Sequence, residues 1–157
     1  MEIKAKIQFD PKDRTSKHKK QSSWKTTVIC NIGDDIDLYY AWFLKKRFNL
    51  ILNRSLRKAH ITIVNDRTSD IDTEMYKKMK EHFDGKEITF TYDPEEIRSN
   101  GKHWWLKVYS EESKAIRKFM GLPENPYLPL HLTLGYSNEK TNDHSKYILR
   151  QILKFGL

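Results

Sequence analysis

A single cysteine, Cys30, in a chain of 157 residues leaves no internal disulfide to form, and a reducing cytosol is the natural setting for it. No apolar run approaches the roughly 18 residues of a membrane span. Met1-Glu2-Ile3-Lys4 lacks the apolar core of a signal peptide. The expectation is a cytoplasmic protein (host cytosol if viral) without membrane association. Zinc spacing is missing as well: there is no His-Glu-x-x-His and no paired cysteine. No glycine loop is present to cradle a triphosphate. Metal and nucleoside triphosphate chemistry are therefore set aside, and no cofactor is expected.

What is present suits one domain spanning residues 1–157: hydrophobic residues make up 38% and charged residues 32%. A net charge of +8 favours anionic partners, a small nucleotide or oligonucleotide substrate among them; nothing in the sequence calls for an obligate protein partner. The charge is uneven. Lys45, Lys46, Arg47, Arg54, Arg57 and Lys58 fall in a window without an acid, directly before His60. A second basic run, residues 17–20, precedes Trp24.

Alternation predicts a short strand over 3–9 and another over 24–31, with Trp24, Thr26, Val28 and Cys30 on one side. Asp34 or Asp35 caps a helix to about Phe48, and a strand follows over 60–64. Asp72 or Thr73 opens a helix striped by Met75, Tyr76, Met79 and Phe83, and Gly85 follows its end. Ile88, Phe90 and Tyr92, then Trp104, Leu106 and Val108, read as a hairpin whose turn holds Pro94 and Asn100-Gly101. Ser110 caps a helix with the stripe Ala115, Ile116, Phe119 and Met120. A strand over 130–136 and a helix carrying Tyr147, Ile148, Ile152 and Leu153 complete the chain. The order strand, helix, strand, helix occurs twice. The expected fold is therefore α+β and bilobal: two pseudo-symmetric lobes (about 1–85 and 86–157, with strand exchange allowed), as two antiparallel sheets around a central cleft with helices outside.

Two short motifs carry the chemistry: His60-Ile61-Thr62-Ile63 and His131-Leu132-Thr133-Leu134. In a strand, residues i and i+2 share a face. Each motif thus sets a histidine and a threonine on one face, backed by two apolar residues. One His-x-Thr arises easily by chance; two in corresponding places of a doubled pattern do not. Imidazole titrates near pH ~6.5, so one ring can accept a proton while the other gives one. Thr62 and Thr133 are suited to hold phosphate oxygens. The other histidines, His18, His82, His103 and His144, lack this context and read as structural or surface residues.

The paired motifs resemble those of the 2H phosphoesterase superfamily. It includes LigT-like RNA 2′,3′-cyclic phosphodiesterases, tRNA-ligase phosphodiesterase domains, viral 2′,5′-oligoadenylate phosphodiesterases and phage anti-CBASS enzymes. The resemblance implies a bilobal fold, with His60 and His131 as the acid–base pair and Thr62 and Thr133 as phosphate ligands of a metal-independent phosphodiesterase. A LigT-like protein usually carries an arginine soon after its second motif, where this chain has Gly135-Tyr136-Ser137. The size of the chain resembles that of the anti-CBASS enzymes, so a cyclic di- or oligonucleotide signalling molecule is the leading substrate class. An RNA 2′,3′-cyclic phosphate or a 2′,5′-oligoadenylate is the alternative. A nucleotide-binding protein without turnover is the alternative of another class.

Around the motifs, Trp105, Lys107 and Tyr109 share a strand face, where a base stacked on an aromatic beside a lysine would make a nucleotide contact. The other reading puts both Trp104 and Trp105 in the core. Tyr136 either stacks on a base at the cleft rim or packs at a strand end. Lys20, in the basic arm, either closes over a ligand or belongs to a mobile surface.

Overall fold

In the computed structural model the described residues are 1–11, 26–55, 57–66 and 70–138. The arm holding Lys20, the start of the expected strand at Trp24 and the expected last helix lie outside them. Six strands and three helices follow in the order β1 (Glu2–Phe9), β2 (Val28–Ile32), α1 (Ile36–Phe48), β3 (His60–Val64), α2 (Thr73–Phe83), β4 (Glu87–Ser99), β5 (His103–Tyr109), α3 (Glu111–Phe119) and β6 (His131–Tyr136).

Local chemistry accounts for the element ends. The Asp72 carboxylate accepts from the backbone N–H groups of Glu74 and Met75, both at 3.1 Å, and so caps α2. Ser110 Oγ accepts from Ser113 N–H at 3.2 Å and caps α3. Asn49 closes α1 in the left-handed conformation, φ 54°. The hairpin turn at Asn100-Gly101 forms, with Gly101 at φ 93°. Pro94, expected in that turn, instead lies inside the long β4. The register there shifts between Tyr92 and Ile97, at a bulge where a residue without an N–H is tolerated. The buried residues of α3 also differ from the expected stripe. They include Ser113, Ile116 and Arg117, while Phe119 is exposed.

Both three-strand halves are antiparallel meanders, and both use their free edges on each other. β3 pairs with β6 and β1 pairs with β4, so the strand order β1-β2-β3-β6-β5-β4 closes into one barrel. The expectation of two sheets around a cleft in a bilobal fold is therefore wrong. Closure removes the unpaired N–H and C=O groups that two open sheets would leave at their edges. The helices tie the halves together: α1, from the first, packs on β6, and α3, from the second, packs on β3 and α2. One core cluster draws on all six strands together with Tyr40, Leu44, Tyr76, Ile116 and Met120. Trp104, Phe90, Ile61 and Ile63 are among its fully buried side chains.

Arg117 is the unusual core member. Its guanidinium, 1% exposed, donates to both carboxylate oxygens of Asp66 at 2.8 and 3.2 Å. It also donates to the carbonyls of Ile63 at 2.9 Å and Pro123 at 2.8 Å. A charge so deep persists only with such partners. It pins α3 to the end of β3, the strand that carries the first His-x-Thr motif.

Candidate active site

The seam between β3 and β6 brings the two motifs together. Ile61 and Leu132 are direct partners across it. Counting one residue outward in each direction of an antiparallel pair sets His60 beside Thr133 and Thr62 beside His131. All four are half-buried, whereas Ile61, Ile63, Leu132 and Leu134 behind them are buried. Two histidines and two threonines thus form a small quadrilateral with local twofold symmetry on the face turned from the core.

The imidazoles repeat the same support. His60 Nδ1 lies 2.8 Å from the Lys58 carbonyl oxygen, and His131 Nδ1 lies 2.8 Å from the Pro129 carbonyl oxygen. A carbonyl only accepts, so each Nδ1 carries the hydrogen and each Nε2 remains for chemistry. Burial lowers the His60 pKa, the Lys58 hydrogen bond opposes this, and the nearby Arg57 and His131 lower it further.

Cross-strand register extends the site. His60 faces Asn31 of β2, and on the other flank Thr133 faces Trp105 of β5, which faces Arg98 of β4. Lys107 lies opposite His131. A cleft of about 510 Å³ opens on this second flank, walled by Arg98, Asn100, His103, Trp105, Lys107 and the pair His131 and Thr133, among others. Among the described residues no acidic one lines it. A second cavity of about 580 Å³ contains Asp34 and Asp35 among tyrosines and Phe43, a poor setting for an anion.

Trp105 and Lys107 thus stand in the cleft wall, with the Trp105 ring 6.3 Å from that of His131. Trp104 alone belongs to the core. Tyr109 is outside the cleft lining: its hydroxyl donates to Glu96 at 2.8 Å, and the Lys107 ammonium sits 5.2 Å from its ring centroid. Tyr136 is also outside the lining, paired with His103 and bonded through its backbone to Asn53. Gly135 before it admits no side chain, since a Cβ there would stand 2.7 Å from the Asn53 carbonyl oxygen.

Three polar wall residues were missed from sequence. His103, read as a structural or surface residue, is in the wall, unlike His82, whose ring meets that of Phe83 edge-on. Arg98 and Asn100 had only a partial signal: a two-residue turn centred on Asn100-Gly101 would set Arg98 opposite His103, whereas the turn centres on Gly101 and Lys102 and sets Arg98 opposite Trp105. The basic run before His60 needs correction in part. Arg54 is held by Asp37 at 2.7 Å and Asp35 at 3.2 Å, which makes it a structural clamp on α1. Among the described residues no three His, Cys, Asp or Glu side chains converge as metal ligands would, and no helix is long and apolar enough to cross a membrane. Comparison with protein families, with curated proteins and with solved structures found no match.

Proposed function

We propose that the chain is a metal-independent phosphodiesterase in which His60 and His131 act as base and acid on a nucleotide phosphodiester. One observation carries the reading. Two His-x-Thr strands pair side by side, and both imidazoles are oriented by the same Nδ1–H bond to the carbonyl two residues earlier. A positioned base and a positioned acid contribute about 10²–10⁴ each to a rate.

His60 suits the base, because its lowered pKa keeps Nε2 unprotonated and ready to take a proton from a water or a ribose 2′-hydroxyl. His131, as imidazolium, gives its Nε2 proton to the leaving oxygen. The Thr62 and Thr133 hydroxyls donate to the two non-bridging oxygens, holding phosphorus in line and balancing charge in the transition state. Attack by water breaks the bond to the leaving alcohol and yields a monoester. Attack by the 2′-hydroxyl yields a 2′,3′-cyclic phosphate. The basic cleft supports a substrate larger than the scissile group, with cyclic di- or oligonucleotide messengers as the leading class.

A substrate panel read by mass spectrometry tests this: 3′,5′-cyclic dinucleotides, 2′,5′-oligoadenylates and 2′,3′-cyclic mononucleotides. The wild type should cleave at least one, with turnover unchanged by EDTA. His60→Ala and His131→Ala should each lower kcat by about 10²–10⁴ while binding persists. A wild type that binds nucleotides and cleaves none points instead to a non-catalytic nucleotide-binding protein.

A further inference from the structure

The cleft is one-sided. It runs from the quadrilateral across β5 to β4, and it holds cations at both ends with an indole between them. Lys107 stands opposite His131, at the reaction centre. Beyond Trp105 comes Arg98, whose one side-chain hydrogen bond among the described residues goes to the neighbouring Ile97 carbonyl at 3.4 Å. Arg54 and Arg117, by contrast, are each locked by carboxylates. Asn100 uses its Oδ1 to accept from the backbone N–H groups of Lys102 at 3.0 Å and His103 at 2.7 Å. That fixes the amide orientation and leaves its NH₂ as a donor. His103 completes the group.

Among the described residues the guanidinium meets no carboxylate, the amide NH₂ has no acceptor and the wall holds no acid; with the imidazole these are the donors an anion requires. Neighbouring strands lie about 4.8 Å apart, so Arg98 is two spacings, roughly 10 Å, from Thr133. That is the scale of one nucleoside with the phosphate following it, and the Trp105 ring occupies the middle, where a base would stack.

We propose that Arg98, Asn100 and His103 form a second phosphate subsite, so that the substrate carries two phosphates flanking a base stacked on Trp105. The inference rests on the phosphodiesterase reading for the position of the first phosphate. It favours di- and oligonucleotides over 2′,3′-cyclic mononucleotides, which have no second phosphate to offer.

The test is equilibrium binding, which does not depend on turnover. The His60→Ala protein, altered away from this cleft wall, is titrated by calorimetry with a 3′,5′-dinucleoside monophosphate and with the same molecule phosphorylated at its 3′ or its 5′ end. One terminal phosphate should tighten Kd tenfold or more, the scale of a charge-assisted hydrogen bond. Arg98→Gln in that background should erase the gain and leave the unphosphorylated ligand unchanged. Arg98 is exposed, so this variant should fold. Lys107→Gln, beside the reaction centre, should weaken all the ligands by the same factor. Equal Kd values with and without either terminal phosphate would overturn the subsite, as would an Arg98→Gln variant that weakens every ligand equally. A wild type without turnover would remove the hydrolase reading and leave this comparison standing.

Discussion

Replacing Arg117 by methionine removes a buried guanidinium while keeping much of its apolar stem. Asp66 and the carbonyls of Ile63 and Pro123 would then lose their donor. Breaking a buried pair from one side costs about 3–5 kcal/mol, because the remaining charge is left unpaired. Asp66 is 23% exposed, so water reaches part of it and the low end, about 3 kcal/mol, applies. For a domain of this length each kcal/mol shifts Tm by about 2–4 °C, which gives a drop of about 6–12 °C. Thermal unfolding followed by circular dichroism measures it, with urea unfolding as a second route to the free energy. Asp66→Asn placed in the Arg117→Met background discharges the orphaned carboxylate and should recover more than about 1 kcal/mol. The reasoning fails if Arg117→Met lowers Tm by less than about 3 °C, or if the double variant loses the sum of the two single losses.

Two further expectations follow from the site. A general base must be neutral, so a lowered His60 pKa moves the acid limb of kcat/KM below the ordinary imidazole value of about 6.5. Arg57→Gln removes one of the charges that lower it, and the limb should move to higher pH; a limb that stays put or moves lower contradicts the assignment of His60 as base. Gly135→Ala places a Cβ 2.7 Å from the Asn53 carbonyl oxygen at φ +151° and should cost about 1–3 kcal/mol by thermal melting. Gly33→Ala, with nothing within 4 Å, is its control and should stay within about 0.5 kcal/mol.

Local features of this fold were readable from the chain. Strand alternation alone set His60 with Thr62, and His131 with Thr133, opposite their apolar neighbours, because side chains two apart share a face whatever the strand pairs with. The caps at Asp72 and Ser110 and the Asn100-Gly101 turn were legible for the same reason, each arising within a few residues of sequence. The Pro94 error belongs to this class, since a proline in a bulge and a proline in a turn look alike without the partner strand.

Pairing across distance was decided elsewhere. Alternation does not say which edge meets which, so nothing local announced that β3 would bond to β6 and β1 to β4, closing one barrel in place of two facing sheets. That closure sets the histidine strands next to each other. It also decides that Arg117, polar by type, faces the core because Asp66 is there to meet it. Arg54 answers to Asp37, and Arg98 is left facing the cleft. The chain by itself determined which side chains stand together along each strand. Only the tertiary structure decided which strands are neighbours, because register and edge closure arise from hydrogen bonds between segments far apart in sequence.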